Sequence, residues 1–468
     1  MTIAAATLER LKAVVGPGGF VEAGPDQDRY LREERGLFHG ATPLVLRPAS
    51  TEQVAALVRI CAETRTPIVP QGGNTGLVGG GVPSSDGTAV IISLGRMNRI
   101  RALAPDDNTI TVEAGCVLAD IQAAAAGVDR LFPVSLASEG SCQIGGNIST
   151  NAGGTNVLRY GNTRPQVLGL EVVLPDGQIW DGLRGLRKDN TGYDLKQMFI
   201  GAEGTLGIIT AAVLALYTRP ASLETAFVAV PDLPAAITLL HRLQKATGER
   251  VSAFEVMSRF ALDLVLRHIP NTTVPLAGRH PWHVLVEAGG DTTLRAVLEE
   301  VLAAAIEDGT ALDATIAESG AQAQAMWRLR ETLPEAQKPE GGSIKHDVAV
   351  PLKDFPALVD RATDTIARAI PGVRPVVFGH LGDGNVHFNL TQPEGMDKAV
   401  FLQRWGEVNR IVHGIAHELH GSISAEHGLG QLKREEITHF KSGVEMDLMR
   451  KVKAALDPLG IMNPGKVV

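Results

Sequence analysis

The stretch FGHLGDGNVHFNL, residues 378–390, sets two imidazoles, His380 and His387, on either side of a Gly-Asp-Gly turn. Neutral imidazole is the commonest transition-metal ligand, but this spacing is loose. The same residues serve equally as packing groups around a tight turn at Asp383 and Gly384. A second stretch, SAEHGLG at 424–430, adds a carboxylate, Glu426, beside another imidazole, His427. Two histidines and one glutamate form a three-ligand set that leaves coordination positions open, the pattern of a catalytic rather than a structural metal. One divalent transition metal is therefore expected on His380, His387 and Glu426, zinc first, with manganese, cobalt and iron as alternatives. His413, His417 and His420 share one face of a helical stretch and read as solvated, while His268, His280 and His283 have no partner motif.

Glycine marks the other chemistry. The 51 glycines concentrate at 72–81, 140–154, 201–207, 379–384 and 428–430. No G-x-G-x-x-G occurs, so the usual dinucleotide fingerprint is absent. Yet PQGGNTGLVGGG follows the strand-like IVP directly, and such a loop can aim successive backbone N–H groups at a pyrophosphate. A wide turn with structural glycines is the competing reading. GSCQIGGNISTNAGG (140–154) and DNTGYDLKQMFIGAEGTLGIIT (189–210) repeat the mixture of glycine with small hydroxyl and amide side chains. Three such segments in one domain suggest a single extended cofactor touched from several sides.

The elements that must hold these residues can be read from periodicity. Residues 44–70 give a short strand, a helix capped at Ser50 with apolar Val54, Leu57, Val58 and Cys61, and a second strand. Strands are expected at 88–94, 109–114 and 207–217, and a helix at 117–126. Pro175-Asp176-Gly177 predicts a hairpin between 168–174 and 177–181. Beyond Arg219-Pro220 the texture changes. Strands near 225–230, 252–257, 282–288, 347–350 and 375–378 alternate with helices at 232–246, 291–308, 320–338 and 397–420, which predicts an antiparallel sheet with helices on one face. The expected division is 1–219, 220–423 and 424–468.

QGGNTG, SCQIGGN, TNAGG and KDNTGYDLKQMFIGAEGTLG closely resemble the FAD domain of the vanillyl-alcohol oxidase / p-cresol methylhydroxylase (PCMH) flavoproteins. Within that superfamily the chain resembles the D-2-hydroxy acid dehydrogenases from about residue 40 to its end, D-2-hydroxyglutarate dehydrogenase most nearly. The resemblance implies an α+β fold: a two-part FAD-binding domain of the PCMH type, an antiparallel-sheet substrate (cap) domain, and a C-terminal helical segment returning to the FAD domain. It implies that Pro70, Gly72, Gly73, Asn74, Thr75, Gly76 and Leu77 bind the pyrophosphate side. Ser141, Gly145, Gly146, Asn147, Thr150, Asn151, Gly153 and Gly154 would line the ribityl and ring region. Glu203, Gly204, Ile209 and Asn463 would complete the cofactor set. Some relatives carry a flavin-linking histidine in the first glycine loop; here that place looks like Asn74, so FAD is expected to be non-covalent. The resemblance also assigns the metal to His380, His387 and Glu426.

The same likeness bears on the substrate. Arg330 and Lys345 fall where the hydroxyglutarate type grips a distal carboxylate, Asn389 matches the residue at the α-carboxylate, and His427 is the implied general base. A threonine expected four residues after the arginine is replaced by Pro334, which keeps D-malate as an alternative. The expected activity is oxidation of D-2-hydroxyglutarate, or a close D-2-hydroxydicarboxylate, to the 2-oxo acid, with electrons passed to an electron-transfer flavoprotein or a quinone. The alternatives are a D-lactate dehydrogenase, a glycolate oxidase catalytic subunit, and a non-catalytic FAD-binding subunit of a larger oxidase.

Bulk properties bound the partners. At 468 residues two or three domains are expected. A net charge of −8 argues against nucleic acid as the main partner. No stretch of 18 apolar residues exists, so no membrane span is expected. Cys61, Cys116 and Cys142 are too scattered for a disulfide framework and read as reduced core thiols. The opening MTIAAATLERLKAVVG carries charges where a secretory signal needs an apolar run, and reads as an amphipathic helix. A cytoplasmic address and a homodimer are the expectations that follow.

Overall fold

A computed structural model describes residues 3–468. The chain divides into two compact units. The first comprises residues up to Gly154, Gly161–Arg219 and Glu426–Val468; the second comprises Thr155–Tyr160 and Pro220–Ala425.

The first unit opens with α1 (Ala5–Val15), which buries Leu11 and Val15. Strands β1 (Phe20–Glu22) and β2 (Leu44–Leu46) precede α2 (Thr51–Thr64), and β3 (Ile68–Gln71) and β4 (Val90–Ser93) follow. The sheet order is β1-β2-β4-β3, antiparallel at β1 and β2 and parallel elsewhere. Helix α2 starts where Ser50 accepts from Gln53 N and ends at Arg65 in the left-handed region. Its Val54, Leu57, Val58 and Cys61 are buried at helical spacing. Burial pushes the Cys61 thiol up to about 12, so it stays an inert core group.

A second sheet in this unit is wholly antiparallel. Its strands are β5 (Ile100–Ala104), β6 (Thr109–Glu113), β7 (Val167–Val173), β8 (Ile179–Gly182) and β9 (Ile208–Ala215), in the order β5-β6-β9-β7-β8. The expected hairpin forms between β7 and β8, with Gly177 at φ +81° supplying the turn. Two helices pack with this sheet, α3 (Leu118–Ala126) and α4 (Ile144–Thr150).

The second unit is an eight-stranded antiparallel sheet. In chain order its elements are β10 (Ser222–Val230), α5 (Leu233–Thr247), β11 (Val251–Ser258), α6 (Arg259–His268), β12 (Trp282–Gly290), α7 (Leu294–Glu307), β13 (Asp313–Ile316), α8 (Gly320–Glu331), β14 (Ser343–Ile344), β15 (Asp347–Ala349), α9 (Phe355–Ala369), β16 (Arg374–His380), β17 (Asn385–Thr391) and α10 (Trp405–Glu418). The path is β13-β10-β12-β11-β16-β17-β14, with β15 also paired to β17. The expected helix layer covers one face: Ala226, Val228 and Val230 of β10 join a core with α5, α7, α9 and α10. A smaller layer covers the other face, where Phe227 and Ala229 meet α6 and α8. The run AFVAV is apolar at both parities, as a strand buried on both sides requires.

Two expected helices are broken. The stretch 320–338 ends as α8 at Glu331, because Pro334 lacks the N–H that a continuing helix needs and instead starts a short helix, Leu333–Ala336. The stretch 397–420 becomes Lys398–Leu402 and α10. Back in the first unit, α11 (Gly443–Leu456) carries a full capping box at Ser442 and Glu445.

Candidate active site

The three glycine segments meet around one cleft in the first unit, with a cavity volume of about 140 Å³. Pro70 comes to it from the end of β3, and Gly72, Gly73, Asn74, Thr75 and Gly76 from the loop that follows. Gly145, Gly146, Asn147 and Thr150 come from α4, and Glu203, Gly204 and Ile209 from the third segment and the start of β9. His427 lines the same cleft. Within the glycine-rich 140–154 segment, Ile144–Thr150 forms a helix. It forms because Ile144 and Ile148 bury in the sheet's core, and because Gly145 lets the helix close on Ala114, whose Cβ would lie 2.7 Å from any added Cβ.

The other expected cofactor residues build the wall or its supports. Asn463 donates through Nδ2 to Gly80 O (3.1 Å) and Glu203 O (2.7 Å). Asn151 ends α4 in the left-handed region, and its Oδ1 accepts from Arg164 N. Ser141 Oγ donates to Ser138 O. Gly154 sits where a Cβ would fall 1.9 Å from Ser135 O, and at Gly153 one would fall 3.1 Å from Glu426 Oε1. Leu77 is half-buried beside the glycine loop.

The cleft has the polarity of a ligand site. Gln143 Oε1 and Asn147 Oδ1 are buried acceptors with no hydrogen-bond partner among the described residues, and both residues line the cleft. Buried acceptors of this kind are normally satisfied, so they call for donors from a ligand. The ribityl hydroxyls and ring N–H of FAD are such donors. At Gly76 and Gly146 an added Cβ would meet nothing within 4 Å, so the backbone lies bare there. Asn74 stands at φ +56° with its amide donating to Arg29 O and Arg32 O, a side chain spent on the loop and without a nucleophile for a flavin link.

Glu203 has a second role that its sequence position did not reveal. Its carboxylate oxygens accept from Leu429 N (2.8 Å) and Gly430 N (2.9 Å), which pins the segment that follows His427. Burial pushes this carboxyl upward and the two backbone donors oppose it.

In the second unit a polar cluster lies at the end of β16. His380 and His387 stand on adjacent strands with ring centroids 5.4 Å apart. His380 Nδ1 lies 2.6 Å from Glu255 Oε1. Glu255, on β11, is fully buried and directly opposite His380 in register. Its Oε2 accepts from Arg330 Nε at 2.7 Å, and Arg330 Nη2 lies 3.4 Å from His380 Nε2. The guanidinium also stacks over Phe378. Burial by itself would raise the Glu255 carboxyl, but His380 and Arg330 hold it below its ordinary range. With Nδ1 turned to a carboxylate, Nε2 is the ring nitrogen of His380 that could serve a metal, the arrangement metal-binding histidines use.

Asn389 and Lys345 come from the neighbouring strands. Asn389 Nδ2 donates to Gln337 Oε1 (3.1 Å), and Gln337 Nε2 donates to Thr391 (2.9 Å). Lys345 is half-buried between β14 and β15. Asp347 faces His387 in register, and Ala425 N donates to Asp347 O, which fixes the chain one residue before Glu426. Asp383, next to this cluster, is pushed up to about 6 by burial.

Sequence reasoning missed Glu255, Gln143 and Gln337. Glu255 alone left a trace, as the one charge in the strand VSAFEVMS.

Comparison with known proteins agrees with this architecture. A family model described as FAD linked oxidases, C-terminal domain, matches residues 219–467, and one described as FAD binding domain matches residues 42–182. The D-2-hydroxyglutarate dehydrogenase of rat is 40% identical over 436 residues, 92% of this chain and 78% of the relative. That of Arabidopsis thaliana is 38% identical over 462 residues, 98% of this chain and 80% of the relative. Among solved structures, p-cresol methylhydroxylase with substrate bound superposes with a TM-score of 0.77 at 16% identity, covering 99% of this chain and 96% of that one. The fold is therefore of the PCMH type, with a sheet-rich cap domain and a helical C-terminus.

One expectation is overturned. The rat and Arabidopsis relatives are named as mitochondrial proteins, against the cytoplasmic address read from the sequence. That reading rested on the want of an apolar run, which bears on secretory signals and membrane spans and does not separate cytosol from an organelle interior. No helix among the described residues is long and apolar enough to cross a membrane. The matches run across both units and nearly the whole length, so the chain belongs to the family of FAD-linked oxidases that includes the D-2-hydroxyglutarate dehydrogenases.

Proposed function

We propose that this protein is an FAD- and metal-dependent dehydrogenase that oxidises D-2-hydroxyglutarate to its 2-oxo acid. The observation that carries the reading is the 40% identity to rat D-2-hydroxyglutarate dehydrogenase over 92% of the chain. FAD supplies the two-electron acceptor, held by the three glycine segments without a covalent link. His380, His387 and Glu426 hold one divalent metal, zinc first, which supplies Lewis acidity toward the substrate's hydroxyl and α-carboxylate.

The chain's own residues do the rest. Asn389 binds the α-carboxylate. Arg330 and Lys345 bind the distal carboxylate, Arg330 through its planar fork and Lys345 as a point charge. His427 accepts the hydroxyl proton on its imidazole as the Cα–H bond is broken. What supports its role is its position in the lining of the cofactor cleft and the Glu203 clamp on the residues that follow it. Alignment of these groups is the catalytic contribution of the fold. Electrons leave to an external acceptor, an electron-transfer flavoprotein or a quinone, and the working assembly is a homodimer. Pro334 in place of a threonine removes one hydrogen bond to the distal carboxylate, so D-malate is the second substrate to test.

The test is anaerobic bleaching of the bound flavin by D-lactate, D-malate, D-2-hydroxyglutarate and their L-isomers. D-2-hydroxyglutarate is expected to reduce it fastest and the L-isomers not at all. Faster reduction by D-lactate would replace this substrate assignment.

A further inference from the structure

Glu255 belongs to none of the expected cofactor, metal or substrate sets, yet it holds a member of two of them at once. It sits in the middle of β11 with no solvent exposure. One carboxylate oxygen is 2.6 Å from His380 Nδ1 and the other 2.7 Å from Arg330 Nε. Strand pairing fixes the first contact, because Glu255 and His380 are direct partners across β11 and β16. Helix α8 delivers the second, with Arg330 in its last turn and the guanidinium held flat over Phe378. Both partners are donors, so a single acceptor-only group is what the position requires. A neutral amide cannot accept one donor on each of its two terminal atoms, as Glu255 does, since its nitrogen is itself a donor.

We propose that Glu255 is a positioning residue that fixes the tautomer of His380 and the plane of Arg330 together, and so ties metal affinity to recognition of the substrate's distal carboxylate. The inference rests on the metal and substrate assignments of the proposed function. Histidine ligands depend on such partners for ring orientation and basicity, and removing the partner usually weakens metal binding by about 10–100-fold. Arg330 gains direction from the same carboxylate, because a guanidinium anchored at Nε presents its remaining N–H groups in one plane.

The experiment compares the full-length holoprotein with Glu255→Gln and Glu255→Asp. Zn²⁺ affinity is measured by competition with a chelating indicator after metal removal. Flavin content, melting temperature and kcat/KM for D-2-hydroxyglutarate and D-lactate are measured alongside. Glu255→Gln is expected to retain flavin, to bind Zn²⁺ roughly 10–100-fold more weakly, and to lose selectivity for D-2-hydroxyglutarate over D-lactate. Glu255→Asp, which keeps both acceptors at shorter reach, is expected to lie between the two. Zn²⁺ affinity unchanged in both variants overturns the proposal while leaving the metal assignment intact. Loss of affinity with selectivity untouched overturns the coupling. If Glu255→Gln does not fold, the aspartate variant decides: weaker Zn²⁺ binding at full flavin content supports the role, and losses of Zn²⁺, flavin and melting temperature in step make Glu255 structural. A parent protein that binds no Zn²⁺ removes the metal assignment and this proposal with it.

Discussion

Arg330 shows how much a residue's environment changes the experiment that probes it. In the sequence it is one cation on a helix; in the fold it is buried, ion-paired to a fully buried glutamate and stacked on a phenyl ring. Arg330→Ala would leave Glu255 charged, buried and short of a partner, a change that typically costs about 3–5 kcal/mol of stability. A large fall in the denaturation midpoint is therefore expected for this variant, and its kinetics alone would not isolate a substrate contact. Lys345 is the cleaner probe, being only half-buried. Losing one charged hydrogen bond to a distal carboxylate costs about 1.5–3 kcal/mol, or roughly one to two decades in kcat/KM. Lys345→Ala should lose that much on D-2-hydroxyglutarate, keep its midpoint within a few degrees of the parent, and leave D-lactate turnover nearly unchanged. An equal loss on both substrates would place Lys345 outside the distal pocket. Asn74 gives a second expectation at this scale: acid precipitation should release all the flavin to the supernatant, and a yellow pellet would show a covalent link formed elsewhere. The glycines and histidines were legible because their chemistry is local. Glu255 was not, because its meaning comes from a partner 125 residues away along the chain.

Helix α4 is where local propensity and tertiary structure disagree. IGGNIST carries two adjacent glycines, each costing a helix roughly 1 kcal/mol relative to alanine, so its sequence gives no helix signal. Burial of Ile144 and Ile148 outweighs that penalty, and the two glycines turn out to have opposite reasons for being there. An added Cβ at Gly145 would lie 2.7 Å from Ala114 Cβ and 3.0 Å from Ala114 O, against the sheet. At Gly146 it would meet nothing. Gly145→Ala should therefore lower the melting temperature of the flavin-free protein, with overpacking costing about 1–3 kcal/mol. Gly146→Ala should leave that temperature unchanged or raise it slightly, since alanine is the better helix former, yet weaken flavin retention because the methyl stands in the cleft. Thermal melts of stripped protein and flavin titration separate the two. Equal retention of flavin by Gly146→Ala would mean the cofactor does not approach this turn. Strands were easier to read than this helix: β7 and β8 announce themselves by the Pro-Asp-Gly turn between them, and the central β4 by an unbroken apolar run.

At the scale of the molecule, the first unit is assembled from pieces far apart in the chain, and its last piece completes its first sheet. Ile68 N, on β3, donates to Ile461 O, and Asn463 N donates back to Ile68 O, each at 2.8 Å. Ile461 and Met462 are buried in the same core as α2 and β4. Asn463 then reaches Gly80 O and Glu203 O, both residues of the cofactor cleft. Lys453 and Asp457 fasten the approach, Lys453 donating to Met462 O and Asp457 accepting from Ile461 N and Met462 N. The sequence DPLGIMNPGKVV reads as a turn-rich tail because none of these bonds is periodic; they depend on an edge strand some 390 residues earlier. A chain ended after Leu456 would leave the β3 edge unpaired, and would remove two buried apolar side chains, worth about 1.5–3 kcal/mol each. It would also free two cleft carbonyls from their donor. Such a truncation is expected to melt at a markedly lower temperature and to purify without flavin. A milder variant, Asn463→Ala, keeps the strand-like pairing and the apolar burial and removes only the two side-chain bonds. Its expected phenotype is a small loss of stability with a larger loss of flavin affinity, read by titrating stripped protein with FAD. If Asn463→Ala binds FAD as the parent does while the truncation does not, the tail serves the sheet alone, and the cleft wall holds its shape without it.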